Sequence, residues 1–295
     1  MWRYSFLLGL VCVGASVVAQ TQKHFKVEGD RSYKVITLNY SASSGVCYMG
    51  PGESAEPLSV HSSKDIEDFN YSFDKNSRNG NMAINLKLEE KNTQSFSQSI
   101  SSRVFEDNND EENVWKVFLS EEIPYRLDLN YGIGEAFIDL SGLSIETLKV
   151  HTGSANVNIG YLTSFSNPIE MKEMFVKVDL GNVNVRQLYN AKAELIIAEV
   201  GFGNMLLDLA EPPTVASHVK ASVGAGTLEV LIPKSDCPII IHVKSSMLCD
   251  VKLTKSFDEV RKNVFVNAEY DESADNILRF DVDVALGNIV FKEKK

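Results

Sequence analysis

Six carboxylates, Glu135, Asp139, Asp179, Glu199, Asp208 and Glu229, recur near the turns of a repeating pattern in the second half of the chain. Paired Asp or Glu side chains can cleave glycosidic bonds when they converge across a cleft at ~5–10 Å, one as general acid and the other as base or nucleophile. An enzyme acting on polysaccharide is therefore one reading of these residues. Grip on an anionic glycan would also require cations on the same face. Between residues 127 and 232 the basic residues are Lys149, Lys172, Lys177, Arg186, Lys192 and Lys220, and no cluster of them is evident. The preferred reading is that the carboxylates keep an open β-array soluble and oppose association of its edges.

The histidines stand at 24, 61, 151, 218 and 242, with no two at metal-ligand spacing. Neither GxSxG nor HExxH occurs. The stretch Gly132-Ile133-Gly134-Glu135-Ala136-Phe137 lacks the third glycine of a dinucleotide loop and leads into a strand, which argues against nucleotide binding. The acidic run Glu106-Asp107-Asn108-Asn109-Asp110-Glu111-Glu112-Asn113 has no glycine at a sixth position and no closing Glu, so it reads as a solvated loop and not a calcium loop. Trp115, Phe118, Tyr125 and Tyr131 read as a cap on the apolar end of the array, not as a sugar-stacking stripe. The expectation is no enzyme, with no catalytic, cofactor-binding or metal residues and no cofactor.

The 295 residues carry 29 Lys and Arg against 40 Asp and Glu, a net charge of −11. That argues against nucleic-acid or anionic-lipid partners, which select a basic face. Met1-Trp2-Arg3, the apolar run Phe6–Val18 and the small residues ending at Ala19 read as a secretory signal peptide over 1–19, cleaved after Ala19. Val11 before Cys12 argues against acylation there. The mature protein is expected to be soluble and exported, in the periplasm or at the cell surface. Its cysteines are Cys47, Cys237 and Cys249; the spacing leaves a bridge between the last two open, and small buried hydrophobes are the preferred reading.

The elements that must position these residues are strands. Alternation such as Ile84-Asn85-Leu86-Lys87-Leu88 and Val176-Lys177-Val178-Asp179-Leu180 places every second side chain on one face. An alternating strand, a glycine turn and a second strand repeat around Gly132, Gly153, Gly181, Gly201 and Gly224, at spacings of 21, 28, 20 and 23 residues. A degenerate copy follows at Ile241–Leu253, and a last one at Phe280–Phe291 around Gly287-Asn288. Corners of stacked coils need positive φ and leave little room for a Cβ, so Gly is expected there, with Asn182 and Asn288 as the next best tolerated. Chain order alone leaves a solenoid and a pair of sandwiched sheets open; a solenoid is the choice.

The division expected is a leader over 1–19, a linker over 20–32, a less regular β half over 33–124, a repeat-bearing β-solenoid over 125–292 and a charged tail over 293–295. In the irregular half, strands are predicted at Tyr33–Ser41, Val46–Met49, Met82–Leu88 and Val114–Leu119. The charged tail is expected to guard an open solenoid end.

The stretch Glu122–Leu143 is a strand led by Pro124, the turn Gly132-Ile133-Gly134 and a strand closing in Asp139-Leu140-Ser141-Gly142-Leu143. It resembles the signature of the bacterial toast-rack domain of LiaF-like cell-wall-antibiotic-response proteins, itself similar to adhesin-like β-solenoids. Ser222–Pro233 and Ala285-Leu286-Gly287-Asn288-Ile289 resemble the family's later turns, so the likeness covers about residues 33–292. It implies an all-β, right-handed β-solenoid without recognised catalytic residues. It also implies an envelope or surface domain whose partner is a protein or a glycan, with regulation of an envelope-stress system through a membrane partner as an alternative. Family members usually carry transmembrane helices before the domain, where this chain has a leader. The host reads as bacterial, so the sequons at Asn39 and Asn70 carry no weight.

Overall fold

A computed structural model describes residues 22–29, 33–91, 113–245, 248–254 and 256–294. The leader, the Gln94–Ser102 stretch, most of the acidic run and Lys295 lie outside the described residues. In chain order the strands are β1 (Gln22–Val27), β2 (Val35–Pro51), β3 (Leu58–Ser62), β4 (Phe69–Arg78), β5 (Asn81–Glu90), β6 (Val114–Leu119), β7 (Tyr125–Asp139) and β8 (Ile145–Gly160). They continue with β9 (Met171–Arg186), β10 (Ala193–Asp208), β11 (Ser217–Ile232), β12 (Ile239–Ser245), β13 (Cys249–Lys252), β14 (Phe257–Arg261), β15 (Val264–Asn267) and β16 (Leu278–Glu293).

Seven of these, β2, β7, β8, β9, β10, β11 and β16, are long rungs paired in parallel and in that order. The pattern read from sequence as two strands about a turn is one strand: the parallel ladder runs on both sides of the glycine, dividing each rung into two arms. Inward side chains alternate along both arms, and the segments returning between rungs add Leu140, Leu143, Tyr161, Leu188 and Leu209 to the same buried core. Each coil thus has two strand sides and an irregular third side, which makes the chain a β-solenoid. Valine, isoleucine and leucine dominate the inward columns, for example Ile138, Ile159, Val185, Leu207 and Val230 on successive rungs, and each full burial of a large aliphatic contributes ~1.5–3 kcal/mol.

A glycine ladder sets the bend. Gly45, Gly134, Gly181, Gly203, Gly226 and Gly287 all have positive φ, and Gly203, for instance, faces Gly181 on one side and Gly226 on the other. A Cβ at these six positions would lie 1.6–2.3 Å from a carbonyl oxygen of the preceding rung. The position in β8 is Ala155, which faces Gly134. The first glycines of the turns, Gly132, Gly153, Gly201 and Gly224, form a second ladder two residues earlier, without positive φ. Gly181 belongs to the ladder of second glycines, so the sequence spacings of 28 and 20 residues mixed the two. In register, the asparagines that follow the corners are 26 and 22 residues apart. The positive φ falls on Gly181 and Gly287, not on Asn182 and Asn288, whose side chains serve differently.

The ends depart most from expectation. The strands expected at Tyr33–Ser41 and Val46–Met49 are one continuous rung, β2 (Val35–Pro51), while β5 covers its first arm and β6 its second, together making a split rung. Six residues of the expected linker form β1, which pairs antiparallel with β3, itself antiparallel to β6. At the other end β12 and β13, the degenerate copy, form a second split rung on the two arms of β16. The last copy in sequence is therefore inserted between β11 and that copy. The tail consequently guards no open end: Glu293 closes β16, Lys292 pairs with Glu229 at 2.8 Å and Lys294 with Asp208 at 3.9 Å.

Candidate functional site

The six candidate carboxylates are spread over both arms. Asp139 Oδ1 accepts bonds from Ser141 N–H, Ser141 Oγ and Leu162 N–H, closing a turn. Asp208 does the same for Gln187 N–H and Ala210 N–H. Glu199 pairs with Lys177 at 3.8 Å and Glu229 with Lys292 at 2.8 Å. Asp139 and Asp208 occupy equivalent places on β7 and β10, three rungs apart, or ~14 Å at ~4.8 Å per rung. Asp179 sits at the corner and Glu135 on the other arm. Four of the six thus have turn-closing or ion-pair roles, and the register gathers no acid–base pair with both members free for that work.

Of the four aromatics expected as a cap, Trp115, Tyr125 and Tyr131 are buried and Phe118 is half-buried. Tyr125 Oη donates to Pro57 O at 2.7 Å and accepts from Ser120 N–H. Cys47 and Cys237 are buried free thiols, each pushed up to about 12 chiefly by burial; Cys249 is free and partly exposed.

The rung order creates a cluster that residue spacing did not reveal. Asp281 on β16 lies between His218 on β11 and His242 on β12. Asp281 Oδ2 is 2.5 Å from His218 Nε2 and Oδ1 is 2.9 Å from His242 Nδ1. Burial pushes this carboxyl up, and the bonds from the two histidines outweigh it, holding it below the usual range. The cluster borders a shallow groove of about 480 Å³ that also takes in Lys244, Lys262 and Asp283, with Lys244 bound to Asp283 at 2.9 Å. Among the described residues no group of three His, Cys, Asp or Glu side chains is set to hold a metal ion.

The second feature is the outer corner. The residue between the two glycine ladders points outward, giving the row Ser154, Leu180, Phe202, Ala225 and Leu286 on adjacent rungs. Leu180, Phe202 and Leu286 are 49%, 64% and 51% exposed. Beside them runs Asn156, Asn182, Asn204, Thr227 and Asn288. Asn182 Nδ2 donates to Asn156 Oδ1 at 2.9 Å and Asn204 Nδ2 to Asn182 Oδ1 at 3.0 Å, and the backbone N–H groups of Asn182 and Asn204 donate to the same two oxygens at 3.2 Å. Taking four residues at the corner of each of the rungs β8 to β11 and β16, Asp179 is the one charge. In a chain where 23% of residues are charged, this strip stands apart. Large exposed apolar groups in a contiguous patch mark an interaction surface more often than scattered ones do.

Sequence comparison bears on which proteins share this architecture. The family described as the N-terminal domain of toast_rack, DUF2154, matches residues 20–181. The chain belongs to the toast-rack family. The match takes in β1 to β8 and β9 as far as Gly181, so it includes the split rung at the amino-terminal end, and the bent rungs continue beyond it to β16. Among solved structures, a putative cell adhesion protein from Clostridium sporogenes ATCC 15579 is 15% identical, with 93% of this chain and 100% of that chain covered and a TM-score of 0.45. No curated protein matches the sequence. Among the described residues no helix is long and apolar enough to cross a membrane.

Proposed function

We propose that this toast-rack protein is an exported, non-enzymatic interaction domain of the bacterial cell envelope or surface, which holds a protein or glycan partner on the outer face of its solenoid. The observation that carries the reading is the uncharged outer corner, where Leu180, Phe202 and Leu286 stand exposed in one row beside an amide ladder. Leaving such side chains in water forgoes the burial of roughly 25 cal/mol per Å² of apolar surface, which a partner would recover. The amides, each with hydrogen-bonding capacity beyond the ladder, suit the polar margin of such a contact. The leader supports export, and the engagement of four candidate carboxylates in turns and ion pairs supports a binding role over hydrolysis.

The test is site-specific photocrosslinking in living cells, with a benzophenone side chain placed at 180, 202 or 286, and at exposed Lys172 as the control. Adducts from the corner and none from the control are expected. Absence of adducts at all three corner positions would overturn the reading.

A further inference from the structure

Resting on the reading of the corner as a docking face, we infer that its occupant is a second copy of this chain, related by a two-fold axis lying between β10 and β11 and crossing the corner row at right angles. The size order along the row is the basis. From β9 to β16 the outward residues run Leu180, Phe202, Ala225, Leu286. An antiparallel second copy sets Leu180 against its Leu286 and Phe202 against its Ala225, so the largest side chain meets the smallest at both central contacts. The same operation keeps the amide row on the amide row, with Asn182 facing Asn288 and Asn204 facing Thr227, pairs that can exchange hydrogen bonds. Glycines at 201 and 224 also face each other, leaving room for backbone to approach. A two-fold contact has to be self-complementary in this way, since every residue pair occurs twice.

Charge selects the same face. Two chains of −11 repel, and they come together with least opposition where each presents a single charge, Asp179, which the two-fold sets against Ala285 of the other copy. The four rungs that this axis pairs, β9, β10, β11 and β16, and three outward columns give a face of roughly 19 Å by 15 Å in projection. Side chains standing out from it add to that area, and the contact stays below the ~600–1,000 Å² per partner buried by stable specific interfaces. The dimer expected is therefore reversible, with a micromolar dissociation constant, not an obligate one.

The test is sedimentation equilibrium of residues 20–295 carrying Cys249→Ser, over about 1–500 µM. Self-association to a dimer is expected. Phe202→Asp should weaken it by tenfold or more, as loss of a central aromatic contact does. Ala225→Phe separates a specific contact from a merely apolar one: it enlarges the apolar row, yet it fills the place Phe202 would occupy, so it too should weaken the dimer. The swap Phe202→Ala with Ala225→Phe restores a large side chain opposite a small one and should recover dimerisation. Each variant is checked for an unchanged circular-dichroism melt, the substituted side chains being on the solvent side. Dimerisation that Ala225→Phe strengthens, or that the swap fails to rescue, overturns the two-fold geometry. A chain monomeric to 500 µM whose corner still crosslinks to another molecule in cells overturns the second copy and leaves the docking face standing. A monomer with no corner adducts overturns both.

Discussion

Gly203→Ala tests the account of the bend. Gly203 has φ of +143°, and a Cβ there would lie 1.6 Å from Gly181 O. Two costs follow. An L-residue held in that backbone region costs ~1–3 kcal/mol. Rungs β9 and β10 must also separate by roughly 1.5 Å to bring the contact to an ordinary van der Waals distance. That takes the nearest inter-rung bonds beyond hydrogen-bonding range, and two lost bonds at ~1 kcal/mol each bring the total to ~3–5 kcal/mol. With ~2–4 °C per kcal/mol for a chain of this size, the melting temperature should fall by ~6–20 °C. The control is Gly153→Ala on the neighbouring ladder, where φ is not positive and the Cβ would sit 3.2 Å from Gly132 O; a shift of no more than ~1 kcal/mol is expected there. Thermal unfolding followed by circular dichroism reads both. Equal shifts for the two variants, or a Gly203→Ala melt within 2 °C of the parent, roughly the shift for a single kcal/mol, would refute the claim that the positive-φ ladder sets the corner.

Asn167 is fully buried, and its amide bonds Ile145 N–H at 3.1 Å, Ile145 O at 2.8 Å and Ala191 O at 3.3 Å, tying three successive coils; Asn167→Ala should cost ~2–4 kcal/mol, read by urea denaturation. The Asp281 carboxyl is held low by His218 and His242 against burial, so its stabilising share is present above the unfolded carboxylate range and lost as pH falls through the folded value; the stability gap between the parent and Asp281→Asn should be open at pH 7 and closed by acid, and a gap that widens on acidification would count against it. With thiols at Cys47 and Cys237 pushed up to about 12 by burial, iodoacetamide at pH 8 should label Cys249 first in the folded chain and all three after denaturation; mass spectrometry of timed samples would contradict this if Cys47 kept pace.

Much of the repeat was legible because its cause is local. Alternation declares which side chains face inward, and glycine declares where a Cβ cannot fit, so the rungs from Tyr125 to Ile232 follow from the residues themselves. The two ladders within one turn were harder to tell apart. Gly132 and Gly134 look alike in sequence, and only pairing with Gly45 shows that the second bends the chain. The site was less legible still. His218 and His242 meet Asp281 because β16 enters between β11 and β12, a long-range event with no signature in spacing. The row Leu180, Phe202, Ala225 and Leu286 depends on the same insertion, since β16 is what sets Leu286 beside Ala225.

The insertion also bears on how copies of the chain can meet. A stack of parallel rungs with bare ends invites end-on addition and fibre growth. Here each end carries a split rung, and strands laid on it run antiparallel: β4 on β5 and β3 on β6 at one end, β15 on β12 at the other. The outermost strands there bring charge, with Asp74, Lys75 and Arg78 on β4 and Asp258, Glu259 and Arg261 on β14. A further parallel rung would find the ladder reversed and charged side chains along much of its length. End-on growth being opposed, the outer corner offers, among the described residues, an extended surface with apolar groups and almost no charge, and a two-fold contact there closes on itself instead of propagating. A folded chain that formed filaments at high concentration while Phe202→Asp left them intact would place self-association at the ends and remove this argument.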